Sequence, residues 1–269
     1  MSLVSAIRLK VQNVMATYKT KGIVLRRTDI SEADRLVTVF TDTEGKIKIK
    51  AKGVRWLFSK NRGHLELFSY SDLVIAEGKE VDVLVSAYTI ESFKKIRDDL
   101  KKTAEAYYLA EICDKMTVEK EKNERIFNLL LDTLRFLDTL APSLLPSFAP
   151  SLTSFFELNL LSALGFRPEL SLCVHCRKKL QPISNFFSYK LGGVVCPSCS
   201  SRHDPKSLKI DQSILKALRV FLSYNLETAL KLKIDEQKVQ AIKTISEGFL
   251  RYIAEREFKS SKFIKSVNE

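Results

Sequence analysis

Apolar and polar residues alternate with a period of two from residue 19 to about residue 91, and beyond Lys94 the period lengthens to that of a helix. In the first stretch Gly22-Ile23-Val24-Leu25 runs into Arg26-Arg27. Arg35-Leu36-Val37-Thr38-Val39-Phe40 follows after the turn residues Asp29, Ser31 and Asp34. Glu44-Gly45 turns the chain into Lys46-Ile47-Lys48-Ile49-Lys50-Ala51-Lys52, a strict alternation, and two more apolar runs, 65–75 and 81–90, are parted by Glu77-Gly78-Lys79. Five short strands joined by tight turns predict a small barrel of the OB type, although an SH3-like barrel or a five-stranded sandwich fits the same strand count.

In the helical stretch Tyr108, Ile112 and Met116 recur every four residues, and Ile126, Leu130, Leu134 and Leu137 form a second stripe. Pro142, Pro146 and Pro150 predict a break or a helix start, because proline lacks the backbone donor that a helix interior uses. A third helix is expected over about 151–164 with Gly165 as its C-terminal cap, then two more near 211–224 and 236–256 behind the N-caps Asp211 and Asp235. The expected organisation is a multidomain β + α chain. A loose arm (1–18) precedes an OB-type barrel (19–94) and an all-helical domain (95–269) that carries a cysteine module at about 171–206. Met15 stands just before the first strand pattern, so residues 1–14 are either a loose arm or the product of an upstream start.

That module holds Cys173-x-x-Cys176, a gap of nineteen residues, and Cys196-x-x-Cys199. Each Cys-x-x-Cys turn places two thiolates on one side of an ion, and a second turn at this distance closes the tetrahedron that Zn2+ prefers. Four protein ligands leave no open position, so the site is expected to be structural. A redox dithiol would need only one such pair, and four unmetallated thiols are the other alternative. His175 and His203 are close enough in sequence to replace a cysteine, but four thiolates already complete the shell. Cys113, on the first helical stripe, reads as a small buried apolar residue.

Charge changes the picture further. The chain carries 44 basic against 32 acidic side chains, a net of +12. The excess is +5 over residues 1–100, −2 over 101–172 and +9 over 173–269, which suggests separate contact surfaces for polyanions. Between Gly45 and Gly63 stand Lys46, Lys48, Lys50, Lys52, Arg55, Lys60 and Arg62 and no acidic residue. Strand alternation would line the four even-numbered lysines along one face while Ile47, Ile49 and Ala51 face the core, a row suited to a phosphate backbone. Trp56, Phe58 and Tyr70 lie in or near this row and offer faces for unpaired bases. The competing reading is an edge strand guarded by lysines against aggregation. The tail Lys259-Ser260-Ser261-Lys262-Phe263-Ile264-Lys265 either contacts DNA or an acidic peptide, or is a fraying helix end.

No phosphate-loop, dinucleotide or nucleophile-elbow motif is present, which argues against an ATP-driven motor or a serine hydrolase. His64-Leu65-Glu66 matches half of a zinc-deaminase signature, but the proline follows Cys196 instead of preceding it. No apolar run reaches the length of a membrane span, so no membrane partner and a cytoplasmic location are expected.

The order of short motifs resembles the RecO family of bacterial DNA-repair proteins from about residue 18 to residue 267. Lys21-Gly22-Ile23-Val24-Leu25, Glu32-Ala33-Asp34-Arg35-Leu36 and Ala51-Lys52-Gly53-Val54-Arg55 resemble its first strands, and Ala106-Tyr107-Tyr108-Leu109-Ala110-Glu111 one of its helices. Leu164-Gly165-Phe166-Arg167-Pro168 leads into the cysteines in the family's order, and Ser261-Lys262-Phe263-Ile264 resembles its end. Trp56 stands where many relatives carry a further basic residue, and some members lack the cysteines, so zinc rests here on spacing. The resemblance implies single- and double-stranded DNA binding and annealing without ATP. It also implies recombinase loading together with RecR, RecF and single-stranded DNA-binding protein, in the cytoplasm at the nucleoid. The DNA contacts expected from both readings are Arg35, Lys46, Lys48, Lys50, Lys52, Arg55, Trp56, Lys60, Arg62, Lys259 and Lys262. A non-enzymatic mediator of repair is therefore the first expectation, and an RNA-binding or ribosome-associated zinc-ribbon protein the second.

Overall fold

The structure is a computed structural model that describes residues 16–268, so the expected arm at 1–14 lies outside the described residues. The chain divides between Ser92 and Phe93 into two compact units.

The first unit is a closed five-stranded barrel of β1 (Thr17–Asp29), β2 (Arg35–Thr41), β3 (Gly45–Ala51), β4 (Tyr70–Ala76) and β5 (Asp82–Glu91), ordered β1-β2-β3-β5-β4. Closure removes the sandwich alternative, and the parallel β3–β5 pairing that completes an otherwise antiparallel ring gives the OB-like arrangement. Thr17 and Tyr18, expected in the arm, belong to β1. That strand pairs with β4 through its first half and with β2 through its second, and a register shift between Val24 and Arg26 supplies the bend. At the crossover sits Gly22, where a Cβ would lie 2.3 Å from Val39 Cγ1. Val24, Val37, Val39, Ile47, Ile49, Leu73 and Ile75 fill the interior, as strand alternation requires. Burying each such side chain contributes roughly 1.5–3 kcal/mol.

The second unit contains α1 (Lys94–Arg97), α2 (Leu100–Met116), α3 (Glu124–Thr139), α4 (Leu145–Ala163), α5 (Pro197–His203), α6 (Gln212–Ser223), α7 (Leu226–Leu230), α8 (Glu236–Ala254) and α9 (Lys259–Asn268). The predicted stripes are buried at Ile126, Leu130, Leu134 and Leu137 on α3 and at Tyr108 and Ile112 on α2, while Met116, the last residue of α2, is half-buried. Asp211 and Asp235 cap α6 and α8, accepting the backbone N–H of Ile214 and Lys238. The central helix α4 packs against α2, α3, α6, α7 and α8 and buries Leu152, Phe155, Phe156, Leu158, Leu160 and Leu161. It begins at Leu145, six residues earlier than expected: Pro146 occupies the first turn, where a missing N–H costs nothing, and only Pro150 removes a bond. Gly165, at φ +90°, ends the helix as predicted.

Between α4 and α6 the cysteine module folds around a three-stranded sheet of β6 (Asn185–Ser188), β7 (Gly193–Val195) and β8 (Leu208–Ile210), in the order β7-β6-β8. Phe187 anchors it to the helices, its ring 5.5 Å from that of Phe249 on α8. Cys113 is fully buried in α2.

Candidate metal centre and nucleic-acid interface

The first cysteine turn is closed by two backbone bonds: Cys173 N–H donates to the Lys178 carbonyl, and Arg177 N–H, at φ +59°, donates to the Cys173 carbonyl. The second turn opens α5. Cys196 is its N-cap, Pro197 fills the first helical position and Cys199 N–H donates to the Cys196 carbonyl. Loop 166–174 is stitched to β7 by Val194 N–H bonding to Glu169 and Val174 N–H to Val194. The approach is so close that a Cβ on Gly193 would stand 2.4 Å from the Glu169 carbonyl oxygen.

These turns bring the four Sγ atoms within 4.8 Å of one another, with Cys176 and Cys196 3.9 Å apart. A tetrahedron with metal–sulfur bonds of about 2.3 Å has edges of about 3.8 Å, so the four sulfurs fit a zinc-sized ion. Among the described residues this is the group so placed. The surroundings favour thiolates at Cys173 and Cys196. Burial disfavours charge on Cys196, but the Ser198 hydroxyl and the Cys199 N–H, with the neighbouring cysteines, hold its thiol down to about 6. Cys173 is likewise lowered against its burial by N–H groups that include that of Cys196, 3.4 Å from its sulfur. Burial and the neighbouring cysteines push Cys199 up to about 12, the coupling expected of thiols crowded around one point. Val195, Phe186, Leu180 and Leu191 pack around the cluster. His175 and His203 lie outside the four-sulfur shell. Both are exposed, and their rings stack with centroids 3.6 Å apart.

On the barrel, β3 buries Ile47, Ile49 and Ala51 as alternation predicts, but its lysines do not form the open ladder expected of them. Lys46 is buried, Lys48 and Lys50 are half-buried, and only Lys52 is exposed. Two carboxylates, Asp29 at the end of β1 and Asp34 on the β1–β2 connection, compensate three expected contacts. Asp34 Oδ2 lies 3.1 Å from Lys50 Nζ, while Asp29 takes Arg35 Nε at 2.6 Å and Arg55 Nε at 3.5 Å. Arg55 is held further by the Ser31 carbonyl, and Asp34 Oδ1 accepts the Gly53 N–H at 2.9 Å. The bond to Arg35 holds the Asp29 carboxyl below the usual carboxylate range, and the Gly53 N–H, then Lys50, do so for Asp34. Tyr70, expected beside the row, is buried in the wall.

Past this braced base, the segment 52–62 projects Lys52, Lys60 and Arg62, all exposed and in no ion pair among the described residues. Between them stand Trp56, Leu57 and Phe58, which expose 66%, 73% and 93% of their surface. Trp56 is thus free for a ligand and not a core residue. Lys259 and Lys262 are exposed on α9, which is docked, not frayed: Phe258 and Ile264 are buried, and the Phe263 ring meets Tyr107 edge to face. In the sequence Asp29 and Asp34 stand out as turn residues, not as partners of the basic row. Their spacing ahead of Arg35 and opposite a basic strand was the available sign of their bracing role.

Residues 15–93 match the family described as Recombination protein O N terminal, and residues 97–262 that described as Recombination protein O C terminal, the two meeting where the barrel gives way to the helices. A DNA repair protein RecO from Dehalococcoides mccartyi is 35% identical over 251 residues, covering 93% of this chain and 96% of its own. The RecO of a Roseiflexus species is 36% identical over 252 residues (94% and 86%), and that of Bacillus pumilus 32% over 249 residues (93% and 94%). With both halves matched in order across nearly its whole length, the chain belongs to the RecO family of recombination and DNA-repair proteins.

Proposed function

We propose that the chain is a non-enzymatic mediator of recombinational repair that binds single- and double-stranded DNA and anneals complementary strands without ATP. The observation that carries this reading is segment 52–62, where Lys52, Lys60 and Arg62 surround exposed aromatic faces on a barrel strut braced by Asp29 and Asp34. Cations of this kind replace the counterions of a phosphate backbone, and their release drives binding. The flanking lysines of β3 contribute less than the sequence suggested, because carboxylates and burial already engage them. Lys259 and Lys262 add charge on the second unit. Neutralising two strands on one molecule removes the repulsion that slows their pairing, so annealing proceeds without fuel.

The cysteine cluster is proposed to hold Zn2+ as a structural ion. Cys173, Cys176, Cys196 and Cys199 fill all four positions, which leaves none for a substrate or an activated water. Recombinase loading, and work alongside RecR, RecF and single-stranded DNA-binding protein, follow from the family reading.

Binding of a labelled single-stranded oligonucleotide across a salt series tests the proposal. The wild-type log K should fall with log salt, with a slope of about 0.7 for each phosphate neutralised. Replacing Lys52, Lys60 and Arg62 by glutamine should flatten that slope by about 2. A wild-type chain whose affinity ignores salt, or a variant that matches it, overturns the assignment.

A further inference from the structure

The barrel row is compensated by carboxylates, but the cationic surface of the cysteine module is not. Residues 171–210 contain seven basic side chains, Arg177, Lys178, Lys179, Lys190, Arg202, Lys206 and Lys209, against one carboxylate, Asp204, which accepts the Ser188 hydroxyl. All seven are exposed, and none is in an ion pair among the described residues. The nearest further acid, Glu169, is occupied by the backbone N–H groups of Ser171 and Leu172, with Arg177 close enough to steady its charge.

The fold brings the two ends of this basic stretch together. The stacked rings of His175 and His203 bring the first cysteine turn against the end of α5. Lys178 and Lys179 follow the first histidine, while Arg202, Lys206 and Lys209 cluster about the second. Lys209 is the cross-strand partner of Phe186, so the two side chains share a face of the sheet, and Phe186 packs against the cysteine cluster. The opposite face carries Phe187 and is spent on the helices.

We infer that this face of the module is a second nucleic-acid surface, one that takes the phosphate backbone of a duplex without reading its bases. The inference rests on the DNA-binding reading above and assigns a further surface to it. The absence of bases from the contact follows from composition. Among residues 171–210 the exposed large apolar side chains are Leu172 and Ile183, with no exposed Phe, Tyr or Trp, and the two exposed histidine rings are stacked on each other, whereas the barrel segment exposes Trp56 and Phe58. Backbone contact alone suits a duplex, whose bases are stacked inward, and stacking faces suit unpaired strands. The four-cysteine cluster joins the two turns that carry these cations, and an ion bound there would hold them in place before the DNA arrives.

The test uses the full-length chain carrying Arg202→Glu, Lys206→Glu and Lys209→Glu, with a duplex and a single strand of equal length as probes. Duplex affinity should fall at least about tenfold and its salt slope by about 2.5, while single-strand affinity stays within about threefold. Metal content and melting temperature report on folding. Should the triple variant lose its metal, Lys206→Gln with Lys209→Gln, further along the chain from the ligands, decides by the same readout. Duplex affinity within about twofold of wild type in a metal-replete variant overturns the inference, as does wild-type binding to anionic vesicles tighter than to duplex. A chain that binds duplex through this face yet never anneals strands would refute the proposed function and leave the surface standing. A variant that anneals normally with undiminished duplex affinity would do the reverse.

Discussion

Asp34 and Lys50 form an ion pair at 3.1 Å on the outer wall of the barrel, and the second oxygen of the same carboxylate holds the Gly53 N–H at 2.9 Å. One side chain therefore both discharges a lysine and fixes the root of the segment that projects Lys52 and Trp56. Asp34→Asn keeps an acceptor for Gly53 but releases Lys50. Single-strand affinity should rise modestly and the salt slope steepen by about 0.7, measured by anisotropy titration. An unchanged slope would mean that Lys50 does not face the DNA.

A Zn2+ ion held by the four cysteines would couple to the fold of their module. Stripping the ion with a strong chelator should expose four titratable thiols and remove on the order of 10 kcal/mol of metal-binding free energy from the module. The melting transition of the helical unit should fall, with the single-strand affinity of the barrel largely retained. Elemental analysis showing well under one metal per chain in freshly purified protein would count against a structural ion.

Glu157 is fully enclosed in α4: Tyr108 donates to one oxygen, and the other has no partner. Burial pushes its carboxyl up to about 7, with Glu247 adding to the rise, and Ser246, Tyr108 and Lys243 opposing it. Burial does the same to Glu105, up to about 7, against Lys243. The folded state therefore binds protons more tightly than the unfolded state between the ordinary glutamate range and about pH 7. Stability is favoured below that window and declines as pH rises through it, by on the order of 3 kcal/mol per group. Glu157→Gln keeps the acceptor for Tyr108 and removes the charge. It should stabilise the chain at pH 8 by about 2 kcal/mol and flatten the pH dependence, which thermal melts at pH 5.5 and 8 would check.

Glu111 on α2 caps the last helix, accepting the backbone N–H of Lys259 at 3.1 Å and of Ser260 at 2.7 Å. Glu111→Ala should cost about 1–2 kcal/mol and raise amide exchange through 259–268 before any other helix. Exchange unchanged in α9 would show that Phe258, Phe263 and Ile264 hold it without the cap.

Much of this was legible because each feature had a period or a spacing. Alternation placed Ile47, Ile49 and Ala51 inside the barrel, the four-residue repeat buried Ile126, Leu130 and Leu134, and two Cys-x-x-Cys turns at the right distance made a four-sulfur cluster. What escaped were matters of neighbourhood. Alternation tells which way Lys46 and Lys50 point but not what covers them, and the acids that do so lie on another segment. The prolines marked a change of structure without telling a break from a first turn, so α4 came out too short. The strand β8 and the helix α7, three and five residues long, are too brief to show a period at all.

Cations on segment 52–62 are proposed to grip DNA so that strands can pair without fuel. The direct measurement is the annealing rate of two complementary labelled oligonucleotides, without nucleoside triphosphate, for the wild type and for a Lys52→Gln, Lys60→Gln, Arg62→Gln variant of matched stability. Clear acceleration by the wild type is expected, with at least about tenfold of it lost in the variant. Annealing no faster than the uncatalysed reaction in the wild type, or equal acceleration by both proteins, would contradict it.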